Sequence, residues 1–317
     1  MLPACNTSPS VSEQPSPAAT SSPTTEMAGH AHGAEAKINI NTAILSELDK
    51  LEATLGVPAL SHKIQASRPY GSPEDLVSKQ VITQAQFDQI KDMVTIEDVV
   101  LTGEAKDVDY MLKLGLMQGH MLVAKELLDL NQPAQAEPHI GHPVEEIYLD
   151  VEDQIQERGV PDFKDTLMQL QELVKSKPQD AQIAPKFEAS TQAINTATEA
   201  LPAEERQSPE FVLQVISGLL DSANAEYTAA IANGKISAAI EYQDSRGFVL
   251  FANQLYKTIE SKLATTHPDA QKAISQSMTE LLKAWPAVVP PAAPVKTPEQ
   301  VTQLIDTIEQ QVQAANK

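Results

Sequence analysis

The sequence predicts an all-α protein: a small tandem helix-hairpin-helix domain followed by an antiparallel helical bundle or array. Three observations carry this. Alanine, leucine, glutamine and glutamate are abundant while glycine is scarce, with 12 in 317 residues, and such a composition suits helices. The long β-branched alternation of a sheet protein is absent. Apolar positions recur at helical spacing through long segments that end on Pro, Gly or Asn-Gly punctuation. Hydrophobic residues make up 42% of the chain, enough for a real core and for two modest domains.

Residues 1–36 read as a leader and tether. Leu2-Pro3-Ala4-Cys5 resembles a bacterial lipobox, in which the Cys receives lipid. The charged and apolar stretch that precedes such a motif does not stand before it in these residues, so the reading expects a longer precursor. Cys5 is the single cysteine, which rules out an intrachain disulfide. From Asn6 to Glu35, Ser, Pro, Thr and Ala dominate and Lys and Arg are absent. Such a segment buries too little to fold and should be a flexible spacer. His30-Ala31-His32 within it is either a weak divalent-metal ligand pair or a chance pair in a tail.

Residues 37–99 read as a compact unit of short helices. Asn41-Thr42 is the expected N-cap of a helix through Leu55, with Ile44, Leu45, Leu48 and Leu51 on one side. Gly56-Val57-Pro58 makes a turn, and a helix through Ile64 follows. Tyr70-Gly71-Ser72-Pro73 makes the next turn, with Ser72 capping and Pro73 at the first helical position. The last helix carries Phe87, Ile90 and Met93.

Residues 100–317 read as longer helices, in one bundle or in two sub-bundles over 100–178 and 179–317. Expected spans are 107–130, then from Pro143 to before Gly159, then 161–176, 180–200, 209–232, 235–264, 268–284 and 298–315. Lys177-Pro178, Leu201-Pro202, Asn233-Gly234 and the Pro290–Pro294 linker punctuate them. Short turns between such helices imply antiparallel packing.

The lead Lys37-Ile38-Asn39-Ile40-Asn41-Thr42-Ala43, two hairpins, and the link Arg68-Pro69-Tyr70-Gly71-Ser72-Pro73-Glu74-Asp75-Leu76 together resemble the tandem helix-hairpin-helix domain of the competence protein ComEA. They are also similar to extrinsic photosystem II protein U. The first resemblance implies DNA capture in competence-related uptake, with hairpin glycines letting backbone N–H groups approach phosphates. The second implies docking to a larger protein assembly, and a cyanobacterial source. Gly56, Lys63, Arg68 and Lys79 are the hairpin residues expected to meet DNA or a partner. The sequence departs from the DNA-binding pattern. Pro58-Ala59 fall where a second glycine belongs, Gln80–Ala85 has no glycine, and Pro58 offers no N–H. The segment holds six Lys/Arg against nine Asp/Glu.

The second informative stretch holds three of the seven histidines within 23 residues. His120 lies between Leu116 and Val123 on the apolar face of its helix and should point inward. Gly115 and Gly119, four apart, should let a neighbouring backbone approach that face. His142 is expected as an N-cap, with Glu145 as its reciprocal capping carboxylate. His139, His142 and Glu146 folded against His120 would offer two or three imidazoles and a carboxylate, which suits zinc, iron or copper. Asp153 or Glu157 could join from the same helix face. A hydrogen-bonded core role for His120 is the alternative. Farther on, Glu241, Tyr242, Asp244 and Arg246 sit among Ile240, Phe248, Val249 and Phe251. They form either a structural polar network or the completion of a site with Tyr227 or the histidines. The histidine arrangement also faintly resembles imelysin-type periplasmic iron-associated helical proteins.

The formal net charge is −20. Such a surface repels phosphate backbones and suits a soluble protein, cation binding or a basic partner. No apolar run reaches the ~18 residues of a membrane-spanning helix. No Gly-rich phosphate loop, Gly-x-Ser-x-Gly turn or nucleophilic cysteine appears. The terminal helix, with Val301, Leu304, Ile305, Ile308 and Val312, has an apolar stripe and a non-basic polar face, so it should pack on the bundle. The function expected is therefore non-enzymatic. It is that of an exported bacterial binding protein, periplasmic or at the cell surface, tied to a membrane only through a lipid on Cys5. DNA, a protein partner or a divalent metal would be its ligand.

Overall fold

The computed structural model describes residues 37–97 and 100–315. Cys5 and the 6–35 segment with His30 and His32 lie outside the described residues. The chain is all-α with two minimal strand pairs.

The module opens with β1 (Ile38–Asn39), which pairs in parallel with β2 (Val94–Thr95), so its two ends are tied together. Between them run α1 (Leu45–Leu55), α2 (Leu60–Ala66), α3 (Asp75–Ser78) and α4 (Gln84–Ile90). Two expected caps are placed differently. α1 begins after Ile44, whose N–H is taken by the Glu47 carboxylate at 3.1 Å. Asn41 instead bridges to the link, accepting from Tyr70 N at 2.7 Å and donating to Tyr70 O at 2.9 Å. Ser72 does not cap α3; the Asp75 carboxylate takes the N–H groups of Gly71 and Ser72. Thr83 caps α4. Leu48, Leu51, Leu60, Ile64, Leu76 and Ile90 form the module's own core.

α5 (Glu104–Asp129) follows, then α6 (Pro133–His142), a π turn (Pro143–Ile147) and α7 (Tyr148–Glu157). α8 (Lys164–Ser176), α9 (Ile183–Glu199), α10 (Ala203–Arg206) and α11 (Pro209–Ala230) come next. A hairpin, β3 (Ile231–Ala232) and β4 (Lys235–Ile236), turns on Asn233-Gly234, both at positive φ as a two-residue hairpin turn requires. α12 (Ala239–Thr266), α13 (Pro268–Leu281), a 3-10 turn (Leu282–Ala284) and α14 (Pro298–Ala315) complete the chain.

α11, α12, α13 and α14 pack on one another as a four-helix bundle. α5 lies against α11 and α12 and also packs on α6 and α9, with α8 packed on α6 and α9. One large apolar core runs through all of these. The module joins it through α1, which packs on α11, and through Ile44, which belongs to the bundle core. Residues 37–317 form one unit. Among the described residues no helix is long and apolar enough to cross a membrane.

Candidate metal centre

The site exists because two helices cross at glycines. A Cβ at Gly119 on α5 would fall 3.0 Å from the backbone carbon of Gly247 and 2.6 Å from Cδ1 of Phe248, and one at Gly247 would overlap the Gly119 carbonyl. With hydrogens there instead, α5 and α12 touch backbone to backbone. That contact carries His120, next to Gly119, onto Asp244, one turn before Gly247. A fork from Arg246 to both carboxylate oxygens of Glu126, each at 3.0 Å, holds the same crossing.

The other two imidazoles come from α6. The helix does not start at Pro143; it begins at Pro133 and runs on through Pro138 and Pro143. A proline inside a helix lacks the donor N–H and crowds the carbonyl four residues back. The chain answers at Pro143 with a π turn, closed by Tyr148 N–H on the Pro143 carbonyl. His142 is therefore not an N-cap. It sits three residues after His139 on the same helix, and both face α12. Glu145 does not cap either; it accepts from Gln171, which also binds Glu137 and fills the space over Gly141.

Three Nδ1 atoms converge on one carboxylate. His120 Nδ1 and His139 Nδ1 lie 2.7 and 2.6 Å from Asp244 Oδ1. His142 Nδ1 lies 3.3 Å from Oδ2. One ligand atom from each of the four residues falls within 4.8 Å of the others. His120, His139 and Asp244 are buried and His142 is partly exposed. Gln243 reaches His139 from behind, its Oε1 at 2.9 Å from Nε2. Its own amide nitrogen donates to Val288 O and Gln135 Oε1, so the amide oxygen must face the ring. His139 then donates from Nε2, and its Nδ1 is left for a proton or a metal.

The electrostatics suit an exchange of proton for cation. Burial works against the Asp244 anion, but the surrounding imidazoles overcome it and hold Asp244 well below the usual carboxylate range. Burial lowers His120, against the pull of the Asp244 charge. Burial also opposes a charged His142, yet the Asp244 hydrogen bond and charge, with Glu146 and Glu145, raise it to about 9. Three imidazole nitrogens and one carboxylate oxygen make a four-ligand set for zinc, iron or copper. With metal–ligand bonds of roughly 2.1 Å, a tetrahedron has edges near ~3.4 Å. To hold an ion, the hydrogen-bonded contacts would open by less than about 1 Å, and ligand atoms up to 4.8 Å apart would draw in by up to about 1.4 Å.

Of the residues expected at this site, His120, His139 and His142 come together. Glu146 is not one of the four; it lines the adjoining cavity, and burial chiefly raises its pKa to about 7. Asp244 takes the carboxylate place. Asp153 points to solvent and Glu157 pairs with Lys106. Tyr227 stands apart, donating to Lys296 O. Gln243 had no expected role. Asp244 lies 124 residues beyond His120, and the signal that could have joined them was the pair of glycines, one beside each ligand.

The hairpin residues are engaged within the chain. Gly56 ends α1 in the left-handed conformation. Ala59 N–H, Ser61 N–H and Ser61 Oγ all donate to Glu52, so a carboxylate already occupies the donors of this turn. Lys63 Nζ donates to the carbonyls of Gln80 and Val81, Lys79 Nζ to those of Ser67 and Pro69, and Arg68 to those of Ile40 and Ala43.

Residues 202–317 match the family model of an iron permease-associated 4-helix bundle domain, and residues 33–95 match that of a helix-hairpin-helix motif. No curated protein and no solved structure matches the chain. The first match spans α11 to α14 and includes Asp244; the three histidines come from the helices before it.

Proposed function

We propose that this chain is a non-enzymatic metal-handling protein of the bacterial cell envelope that holds one divalent cation, iron foremost, among His120, His139, His142 and Asp244. The observation that carries the reading is the convergence of three imidazoles on one buried carboxylate. The bundle's likeness to a domain associated with iron permeases supports iron over zinc or copper, and supports a permease as the partner that the protein serves. A lipid on Cys5 and a periplasmic or cell-surface location fit that partnership. In this reading the helix-hairpin-helix module serves the bundle and protein docking. DNA capture of the ComEA kind is disfavoured by the bonds that Lys63, Arg68 and Lys79 make to backbone carbonyls and by the net charge of −20.

Anaerobic titration of the tag-free protein with Fe(II), followed by elemental analysis, tests the reading. One ion per chain should bind, and His139→Ala or Asp244→Asn should reduce affinity at least tenfold. Unchanged stoichiometry and affinity in both variants would sink it.

A further inference from the structure

A small cavity of about 60 Å³ adjoins the histidine centre. Its inner wall is His120, His142 and Asp244, and its outer wall is built where the module meets the bundle. Asp49 on α1 and Glu226 on α11 face one another there, 6% and 3% exposed. Each carboxyl is in hydrogen-bonding contact with the other. Glu146 and Glu241, both partly exposed, and the exposed His62 continue the lining outward. The side chains that act most strongly on Asp49 are Ser61, Glu226, Glu52 and Glu241, none of them a cation. Two buried carboxylates in contact must share a proton or a cation between them. The same cavity wall presents two imidazoles of a four-ligand cluster, so the acids lead to a metal-binding group rather than standing alone. The volume suits one or two water-sized occupants, the size of a partly hydrated cation and too small for an organic ligand.

We propose that this cavity is the loading route of the metal centre, with Asp49 of the module and Glu226 of the bundle relaying a divalent cation from the mouth at His62 and Glu241 to the imidazoles. The proposal rests on the metal-binding reading above. His120, His139 and Asp244 are buried, so an ion needs a path to them. Oxygen donors in the outer stretch bind a divalent ion loosely and fast, and nitrogen donors inside bind it more tightly. An acid-lined cleft also raises the local cation concentration and the on-rate. The module thereby contributes directly to metal loading, because it supplies one side of the passage.

Stopped-flow loading of the full chain with Co(II), whose visible absorption reports nitrogen-rich four-coordination, tests this. In Asp49→Asn/Glu226→Gln, and separately in Glu241→Gln, the on-rate should fall, by about tenfold or more in the double variant. Final stoichiometry and absorption should be retained, and the dependence of the rate on ionic strength weakened. Thermal melts of the variants report their folding, and the half-buried Glu241 gives a variant that leaves the core untouched. Loading at the wild-type rate in both variants overturns the route while leaving the centre intact. Loss of equilibrium binding in the double variant also overturns it, because the acids would then be ligands. Failure of the wild-type protein to bind Co(II) would remove the metal reading itself.

Discussion

At the scale of single residues, the least conspicuous member of the centre is Gln243. Its amide is buried, donates to Val288 O and accepts from His139, so it fixes which imidazole nitrogen faces Asp244. Partners of this kind behind a metal-ligating histidine are worth roughly 10–100-fold in metal affinity. Gln243→Leu should therefore lower Fe(II) affinity within that range while the helical content stays unchanged, and Gln243→Glu should restore most of it by keeping the acceptor. Equal affinity in Gln243→Leu and the native chain would show that His139 needs no such partner. The three histidines were legible from the sequence because His120 falls on an apolar helical stripe and His139 and His142 are close neighbours. Asp244 was marked only as part of a polar stretch that could complete the site, and Gln243 not at all, since only tertiary packing brings them within reach and no local spacing encodes it.

At the scale of elements, the crossing of α5 and α12 decides whether the ligands meet. Gly115 and Gly119 signalled a close helix contact, and the structure supplies Gly247 as the other half. In an exposed helix, replacing glycine by alanine stabilises by up to about 1 kcal/mol. Here the sign should reverse. A Cβ at Gly247 would overlap the Gly119 carbonyl, and forcing backbones apart in a packed core costs typically about 1–3 kcal/mol. Gly247→Ala should lower the Tm and also weaken metal binding, because the separation moves Asp244 from His120. A raised Tm would mean the crossing has slack. The helices themselves were largely readable from Pro and Gly punctuation. The exception is instructive: Pro143 resembles a helix start, yet the helix begins ten residues earlier and absorbs the proline in a π turn. Proline at a first turn and proline at a π turn look alike in one dimension.

At the scale of the whole molecule, the module's short hairpins were visible in the sequence. Its seat on the bundle was not, because the joining faces of α1 and α11 read as ordinary apolar stripes. The seam buries Asp49, and burial, with Glu52 and Glu241 nearby, pushes its pKa up from 3.8 to about 7 despite the opposing influence of Ser61 and Glu226. The folded metal-free protein therefore holds a proton at Asp49 that the unfolded chain releases near its ordinary pKa. Stability from this group is fully present below that value and is lost as pH rises through about 7. At about 1.36 kcal/mol per unit, the loss is on the order of 2–4 kcal/mol between about pH 4 and pH 7. Urea melts of the chelator-treated protein across that window should show this decline. Asp49→Asn, which carries no proton to lose, should flatten it and be the more stable protein at about pH 8. If the native and Asp49→Asn slopes coincide, the seam does not hold that proton and the carboxylates are better hydrated than their burial implies.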